Sequence, residues 1–240
     1  MTAPPTPAPA AIFRLFDGLT RCAPGDAGAL GRALAGLAPD AVVLDAGCGR
    51  GADLPALLAA VPRGWVVAVD LAEPFIAHVR EACPEAETHV ADMMAPPGGP
   101  FDMVWSGGAA YGPGVAACLA AWRRVLRPGG RVGFTELCWA TATPSPEACA
   151  FWAREYSGMM APAALDRVIA GAGFCQVGAE WLPHAAWAAY YVPLATRIAA
   201  LADDPDPDMQ AVLAAFRAEI ALWRGHGGDY GYRLCVVEPA

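Results

Sequence analysis

The first part of the chain has apolar residues at helical spacing, and short apolar runs follow it. From Ile12 to Leu37 the helical spacing is broken at residues 22–25, which predicts two helices before the first strand. Apolar runs then alternate with helical segments, so we expect a parallel sheet with helices on both faces. The predicted strands are 41–44, 65–69, 88–91, 101–105 and 131–137, and the helices between them are 52–61, 74–83 and 115–126.

The pattern changes after the fifth strand. Helices are predicted over 145–160 and 163–172, strands over 175–182 and 232–237, and two further helical stretches between those strands. We expect the late segment to cover the carboxyl edge of the sheet, where open α/β sheets bind ligands. The predicted organisation is a disordered tail, 1–10, and a single domain, 11–240, with N-terminal helices at 11–38 and helical insertions at 140–162 and 183–230.

Charge and cysteine content exclude several classes of function. The net charge is −8, and all 16 cationic residues are Arg, so neither a basic nucleic-acid-binding face nor Lys-dependent chemistry is expected. An acidic protein instead weakly favours cationic ligands. The 8 cysteines are scattered, which predicts reduced thiols and no metal site. Without a signal-like or membrane-spanning apolar segment, we expect a cytoplasmic protein with no membrane partner.

The stretch VVLDAGCGRG, residues 42–51, combines a buried strand with a glycine-rich loop. Gly47, Gly49 and Gly51 give the spacing G-x-G-x-G, whereas dinucleotide loops use G-x-G-x-x-G. Asp45 precedes them, and a carboxylate about 4 Å from an anion costs roughly 4 kcal/mol but gains as much beside a cation. The loop therefore favours S-adenosylmethionine (SAM), which is cationic at that end and lacks phosphate. At the intervening positions, Cys48 and Arg50, only the backbone is expected to matter.

Two further acids end the next two strands. Asp70 can accept both hydroxyls of a ribose, a role that NAD enzymes also use. Asp92 offers an acceptor for an adenine amino group, and Met93 an apolar contact for the ring. Each acid alone could be an exposed loop carboxylate. Their shared placement at strand ends favours a nucleoside site.

Five motifs in order, LDAGCGRG, VVAVD, VADM, FDMVWSGGA and LRPGGRVGFTE, resemble those of class I SAM-dependent methyltransferases over residues 39–136. The resemblance implies an α/β fold with a Rossmann-like, seven-stranded, mostly parallel sheet of order 3-2-1-4-5-7-6. Its last strand would be antiparallel, with extra helices after strands five and six. It also implies SAM as cofactor and S-adenosylhomocysteine (SAH) as product. The implied cofactor-binding residues are Asp45, Gly47, Gly49 and Gly51 at the methionine end, Asp70 and Leu71 at ribose and adenine, Asp92 and Met93 at adenine, and Ser106 beside the sulfonium.

The acceptor side carries weaker signals. Methyl transfer needs mainly alignment, so the lack of a catalytic triad does not argue against an enzyme. Glu136 ends the fifth strand, and our hypothesis is that it binds or deprotonates the acceptor, with an amine as one candidate and Tyr111 in the pocket wall. An E-L-x-W motif and a later Trp-x-x-Tyr-Tyr resemble a small-molecule subgroup of the family. The candidate substrate-binding aromatics are Trp139, Trp152, Tyr156, Trp187 and Tyr191.

Alternatives remain open at this stage. Trp152 with Tyr156, and Trp187 with Tyr191, have i, i+4 spacing, which is also typical of helix packing. His184 could be a base or simply begin a helix. The leading hypothesis is a SAM-dependent methyltransferase that acts on a small molecule by in-line displacement in an aromatic-lined pocket. A tRNA or protein methyltransferase, a non-catalytic SAM-binding module, and an NAD oxidoreductase are the alternatives.

Overall fold

The computed structural model describes residues 9–240, which form a seven-stranded sheet with helices around it. The strands are β1 Val42–Ala46, β2 Trp65–Asp70, β3 Glu87–Val90, β4 Phe101–Gly107, β5 Leu126–Trp139, β6 Phe174–Trp181 and β7 Tyr230–Pro239. The helices are α1 Pro9–Phe16, α2 Ala27–Leu34, α3 Leu54–Ala60, α4 Glu73–Ala82, α5 Val115–Trp122, α6 Pro146–Glu155, α7 Pro162–Gly171, α8 His184–Ala200 and α9 Pro207–His226.

The sheet order is β3-β2-β1-β4-β5-β7-β6, as the resemblance implied. Strand β7 is antiparallel to both of its neighbours, β5 and β6. Strand β1 has a parallel neighbour on each side, β2 and β4, and the connections from these strands leave in opposite directions. A crevice forms at the carboxyl ends of strands at such a switch point, and open α/β sheets bind ligands there.

Strand β5 begins at Leu126 rather than at Arg131. Phe101 pairs with Leu126 and Met103 pairs with Arg131, so residues 127–130 bulge out of the ladder between β4 and β5. Gly129 within the bulge has φ of 79°, a backbone conformation that glycine adopts without strain. The predicted turn is therefore present, but it interrupts a strand instead of preceding one.

Helix α6 ends at Glu155, whereas the apolar pattern predicted a helix to residue 160. Tyr156 has φ of −149° and ψ of 80°, which is outside the helical region, and Ser157 and Gly158 follow it. Glycine is a poor helix former, so the helix stops before it. The side chain of Tyr156 is therefore released from the helix and can reach β5.

The two predicted N-terminal helices are α1 and α2. Helix α1 begins at Pro9, inside the predicted tail, and the tail residues 1–8 lie outside the described part of the chain. Helix α2 begins after Asp26, whose carboxylate accepts a hydrogen bond from the backbone N–H of Ala29. This N-cap satisfies one of the unpaired donors at the start of the helix.

The late helical insertion packs at the carboxyl end of β5. Buried side chains of α1, α6, α8 and α9 form one apolar cluster with Leu137 of β5 and Tyr230 of β7. Two other apolar clusters cover the opposite faces of the sheet. The insertion therefore adds a third layer beside the edge at which ligands are expected.

Candidate active site

A cavity of about 350 Å³ opens at the carboxyl ends of β1, β2 and β4. The loops after β1, β2, β3 and β4 line it, together with the α1–α2 connection, residues 17–26. Of the predicted site residues, eight are in its wall: Asp45, Gly47, Gly49, Asp70, Leu71, Asp92, Met93 and Tyr111.

The three alternating glycines have positive φ angles of 78°, 52° and 76° at Gly47, Gly49 and Gly51. A Cβ atom on Gly47 would lie 2.5 Å from the Cβ of Ala109, so a side chain there would collide with the loop after β4. Gly51 is buried away from the cavity, and a Cβ on it would lie 2.9 Å from Leu54. Gly47 and Gly49 thus shape the cavity, and Gly51 allows α3 to pack closely.

Asp45 is 2% exposed, on the wall of the cavity. Within residues 9–240 its carboxylate makes no hydrogen bond or salt bridge. Burial raises its pKa well above the ordinary value, the charges of Asp53 and Asp70 raise it further, and Arg21 lowers it. A buried carboxylate without a partner is costly unless a ligand brings a cation or hydrogen-bond donors.

Asp70 is held rigidly by the backbone. Its two carboxylate oxygens accept hydrogen bonds from the N–H groups of Gly49 and Ala72, both at 2.9 Å. Each oxygen keeps a lone pair, so the side chain can still accept from a ligand with two hydroxyls. Its bond to Gly49 also fixes the glycine-rich loop against the end of β2.

The predicted adenine contacts Leu71, Asp92 and Met93 all line the cavity. Leu71 is 73% exposed, so its apolar side chain is open to a ligand ring. Asp92 accepts a hydrogen bond from the N–H of Met94 at 2.8 Å, and Met93 is buried against the apolar core under the cavity.

Ser106 has a different environment from that expected. It is fully buried, and its hydroxyl donates to the carbonyl oxygen of Ala46 at 2.9 Å. This bond ties the end of β4 to the end of β1 and sets the spacing of the two loops. Ser106 is outside the cavity wall, so its placement fits support of the loops better than contact with a sulfonium.

A polar cluster at the entrance had no clear signal in the sequence. Arg21 donates to Asp53 at 2.7 Å, and the indole of Trp105 donates to the other oxygen of Asp53 at 2.9 Å. All three residues line the cavity. Arg21 falls in the break between two helices, so only the folded chain brings it to the glycine-rich loop.

Arg50 contributes more than its backbone, contrary to our expectation. Its guanidinium donates to the carbonyl oxygen of Leu19 at 2.7 Å and lies 3.6 Å from the carboxylate of Asp17. The side chain therefore fastens the α1–α2 connection over the loop. Cys48, by contrast, makes only a weak sulfur contact with the carbonyl of its neighbour Gly49.

Glu136, Tyr156 and Tyr111 lie together beside the cavity. Glu136 is 1% exposed, and its carboxylate accepts a hydrogen bond from the hydroxyl of Tyr156 at 2.6 Å. Burial raises the pKa of Glu136 to about 7, although the bond from Tyr156 lowers it. The ring of Tyr156 contacts that of Tyr111 edge-on, with centroids 5.8 Å apart. Tyr111 itself is 53% exposed and reaches the cavity.

Four of the predicted substrate-binding aromatics pack in the helical layer. Trp152, Trp187 and Tyr191 are buried in the cluster formed by α1, α6, α8 and α9, and Trp139 is partly buried against it. His184 is exposed at the start of α8 and stacks on Trp223 at 4.7 Å. These positions agree with the alternative that the aromatic residues pack between helices. A direct role of these residues in substrate binding stays a prediction.

Other chemistry is limited in the described residues. All eight cysteines are free thiols there, and no group of three His, Cys, Asp or Glu side chains in 9–240 could hold a metal ion. In the same range no helix is both long enough and apolar enough to span a membrane.

Comparison with known proteins places this geometry in context. A family model described as a methyltransferase domain matches residues 43–130, from β1 into β5. Nocamycin O-methyltransferase of Saccharothrix syringae is 41% identical over 106 residues, which is 40% of this chain and 38% of that protein. The chain spans well under half the length of the curated relatives that it matches.

Solved structures share the fold over nearly the whole chain. A SAM-dependent methyltransferase from Geobacter sulfurreducens, crystallised with SAH, superposes with a TM-score of 0.79 at 20% identity, covering 98% of this chain and 99% of that one. YjhP from E. coli superposes with a TM-score of 0.83 at 17% identity, covering 97% and 100%. These likenesses extend beyond the matched domain into the helical layer.

Proposed function

We propose that the chain is a class I SAM-dependent methyltransferase, an enzyme that transfers a methyl group from SAM to a small-molecule acceptor by in-line displacement. The observation that carries the proposal is Asp45, a buried carboxylate without a protein partner on the wall of the cavity. Such a group favours a ligand that is positive at that end and disfavours the pyrophosphate of a dinucleotide.

The other cavity residues suit the remaining parts of SAM. Asp45 would accept from the ammonium of the methionine moiety, and Arg21 would face its carboxylate, because both line the cavity and the charge of Arg21 acts on Asp45. Gly47 and Gly49 would let the backbone approach this moiety closely. Asp70 would accept from the ribose hydroxyls.

Adenine would lie against the candidate contacts Leu71, Asp92 and Met93, which line the cavity. Gly51 and Ser106 would act indirectly, since the first allows α3 to pack closely and the second joins the ends of β1 and β4.

When bound, SAM supplies a methyl group that its sulfonium already activates. The protein has then to hold the acceptor in line and exclude water, and alignment alone can supply several kcal/mol. Glu136, next to the cavity and with a raised pKa, is placed to bind the acceptor or take its proton. Tyr111 would form the wall between the two ligands.

A small acceptor fits the site better than a macromolecule. The helical layer packs against β5 and β7 beside the cavity, and a chain with net charge −8 lacks the basic surface that RNA requires. Two relatives carry the name of a small molecule, nocamycin O-methyltransferase and trans-aconitate 2-methyltransferase.

Cofactor binding is tested by thermal shift and calorimetry with SAH and SAM, with NADH as the control ligand. We expect SAH to raise Tm and NADH to have no effect. NADH binding without an SAH response would overturn the proposal. Turnover of methyl-labelled SAM with a metabolite extract then separates an enzyme from a non-catalytic binding module, and digestion of the labelled product with nuclease or protease separates small from macromolecular acceptors.

A further inference from the structure

Two carboxylates that accept hydrogen bonds from tyrosines lie near the cavity, and one of them is buried and the other partly buried. The first carboxylate is Glu136, which accepts from Tyr156. The second is Glu219 on α9, which accepts a hydrogen bond from the hydroxyl of Tyr191 at 2.6 Å. Burial raises the pKa of Glu219, and the nearby charge of Glu155 adds to that effect.

The charges of both carboxylates act on two other tyrosines, Tyr111 and Tyr232. Burial and then the charges of Glu219 and Glu136 raise the pKa of Tyr111, and both charges also raise that of Tyr232. Both hydroxyls are therefore within electrostatic reach of both carboxylates. Trp187 contacts a tyrosine on each side, because its ring centroid lies 5.4 Å from that of Tyr232 and 5.6 Å from that of Tyr191.

The cluster borders the cofactor cavity on its acceptor side. A Cβ atom on Gly108 would lie 3.7 Å from the hydroxyl oxygen of Tyr232, and Gly108 lines the cavity together with Tyr111. Thr135 lines the cavity too, is 3% exposed, and its hydroxyl has no hydrogen-bond partner within residues 9–240. A buried hydroxyl without a partner at a cavity wall indicates a polar ligand.

No cation compensates the two carboxylates in the described part of the chain. Arg233 is opposite Glu136 in the β5–β7 ladder, but its guanidinium binds Asp166 at 2.6 Å. The ion pairs of residues 9–240 include neither Glu136 nor Glu219. A carboxylate that is buried or partly buried without a cation is stabilised by a ligand that carries a positive charge.

We propose that Glu136 and Glu219, with the tyrosines near them, form a subsite that selects an acceptor bearing a protonated amine. The inference rests on the proposed methyltransferase function and names its substrate class. The two carboxylates attract the ammonium group, and the aromatic faces favour a cation as well. An acceptor that carries a carboxylate or phosphate at this point would be repelled.

Reaction at the amine would follow a balanced sequence. Glu136 takes one proton from the ammonium group and becomes a neutral acid, which leaves a nitrogen lone pair. That lone pair forms a bond to the methyl carbon while the carbon–sulfur bond of SAM breaks, and the bonding electrons stay on sulfur as the neutral thioether of SAH. The product is the methylated ammonium ion, so the total charge is conserved.

The first test is a matched acceptor panel with the full chain and methyl-labelled SAM. Phenethylamine and hexylamine are compared with 2-phenylethanol, hexanol, 3-phenylpropanoate and hexanoate. We expect at least a tenfold preference in kcat/KM for the amines, and amine-dependent stabilisation of the SAH complex. Equal or better turnover of alcohols or carboxylates would overturn the inference, as would SAH binding with neither turnover nor binding of amines. Loss of SAH binding itself would instead refute the proposed function.

The second test replaces the distal carboxylate. Glu219→Gln should raise KM for the amine at least tenfold with SAH affinity within twofold of wild type, and Glu219→Asp should recover part of the loss. Glu81→Gln, an exposed site on α4, is the matched control and should behave as wild type. An unchanged amine KM in Glu219→Gln would exclude this residue from the subsite. If that variant does not fold, the acceptor panel with the wild-type chain still decides the inference.

Discussion

Among single residues, Asp45 has opposite effects on folding and on ligand binding. Its buried charge destabilises the folded protein when no cation is bound, and the same charge binds a cationic ligand. Its pKa is raised in the folded protein, so ionisation at neutral pH destabilises the fold. Asp45→Asn should therefore raise Tm of the ligand-free protein and weaken SAM binding about a hundredfold, or about 3 kcal/mol. Calorimetry and thermal unfolding measure the two effects.

The control for this prediction is Asp203→Asn, which removes an exposed carboxylate of the same type. It should leave both Tm and SAM affinity unchanged. If Asp45→Asn binds SAM as tightly as wild type, Asp45 does not bind the ammonium group.

Glu136 gives a second residue-scale prediction, on pH dependence. Its pKa is about 7 in the folded chain against an ordinary value of 4.5. As pH rises from about 4.5 to about 7, the unfolded state loses this proton first, so the free energy of unfolding falls by up to about 3 kcal/mol. Below about 4.5 both states hold the proton and no loss occurs.

Urea unfolding of wild type and Glu136→Gln at about pH 5 and about pH 8 isolates this group from the other buried acids. From about pH 5 to about pH 8, the free energy of unfolding of wild type should fall by roughly 2–3 kcal/mol relative to that of Glu136→Gln. Glu81→Gln should follow the wild-type curve. Parallel curves for Glu136→Gln and wild type would show that the carboxyl is not perturbed.

At the scale of elements, the α1–α2 connection closes one side of the cofactor cavity. The salt bridge from Arg21 to Asp53 and the bond from Arg50 to Leu19 hold it there. Asp53→Asn keeps an acceptor for the indole of Trp105 but removes the charge that holds Arg21. We expect faster hydrogen exchange over residues 17–26 and SAH affinity weaker by about tenfold, the scale of one charge-assisted hydrogen bond.

Hydrogen-exchange mass spectrometry with and without SAH measures this loop directly, and Asp203→Asn again provides a matched control. SAH should slow exchange over residues 17–26 in wild type and much less in Asp53→Asn. Equal protection in both proteins would mean that the salt bridge does not fasten the connection.

Helical spacing of apolar residues predicts that a helix forms, but it does not predict which residues its side chains contact. Tyr156 was paired with Trp152 by spacing, yet the helix ends between them and Tyr156 binds Glu136 instead. A glycine two residues later predicts that the helix weakens, but the partner of a released tyrosine depends on tertiary packing. The i, i+4 pair Trp187 and Tyr191 does pack in a helix, as that spacing favours.

Across the whole molecule, the sheet edge that carries the cavity was predictable from the sequence, whereas the side chains that distant segments bring to it were not. Successive βα units place Asp45, Asp70 and Asp92 at one sheet edge, so order along the chain fixes their neighbourhood in space. Arg21 reaches the cavity from the α1–α2 connection, far from the glycine-rich loop in sequence, and no local pattern marks it. Long-range packing of that kind follows only from the folded chain.

The overall charge leads to a last prediction. The protein carries −8, whereas SAM has a net charge of about +1 at neutral pH and SAH has none, because the sulfonium has become a thioether. The field of an acidic protein should therefore favour SAM over SAH, and salt should weaken that preference as the screening length falls from about 30 Å at 0.01 M to about 3 Å at 1 M.

Calorimetric Kd values for SAM, SAH and sinefungin at about 0.02 M and about 0.5 M NaCl measure this field. Sinefungin carries an amine in place of the sulfonium, so its Kd should rise with salt in parallel with that of SAM, by several-fold, and that of SAH should change less. Equal salt dependence for all three ligands would mean that the arginines at the cavity, Arg21 and Arg50, cancel the field of the surrounding acids. The preference for SAM over SAH would then come only from short-range contacts, such as the one with Asp45.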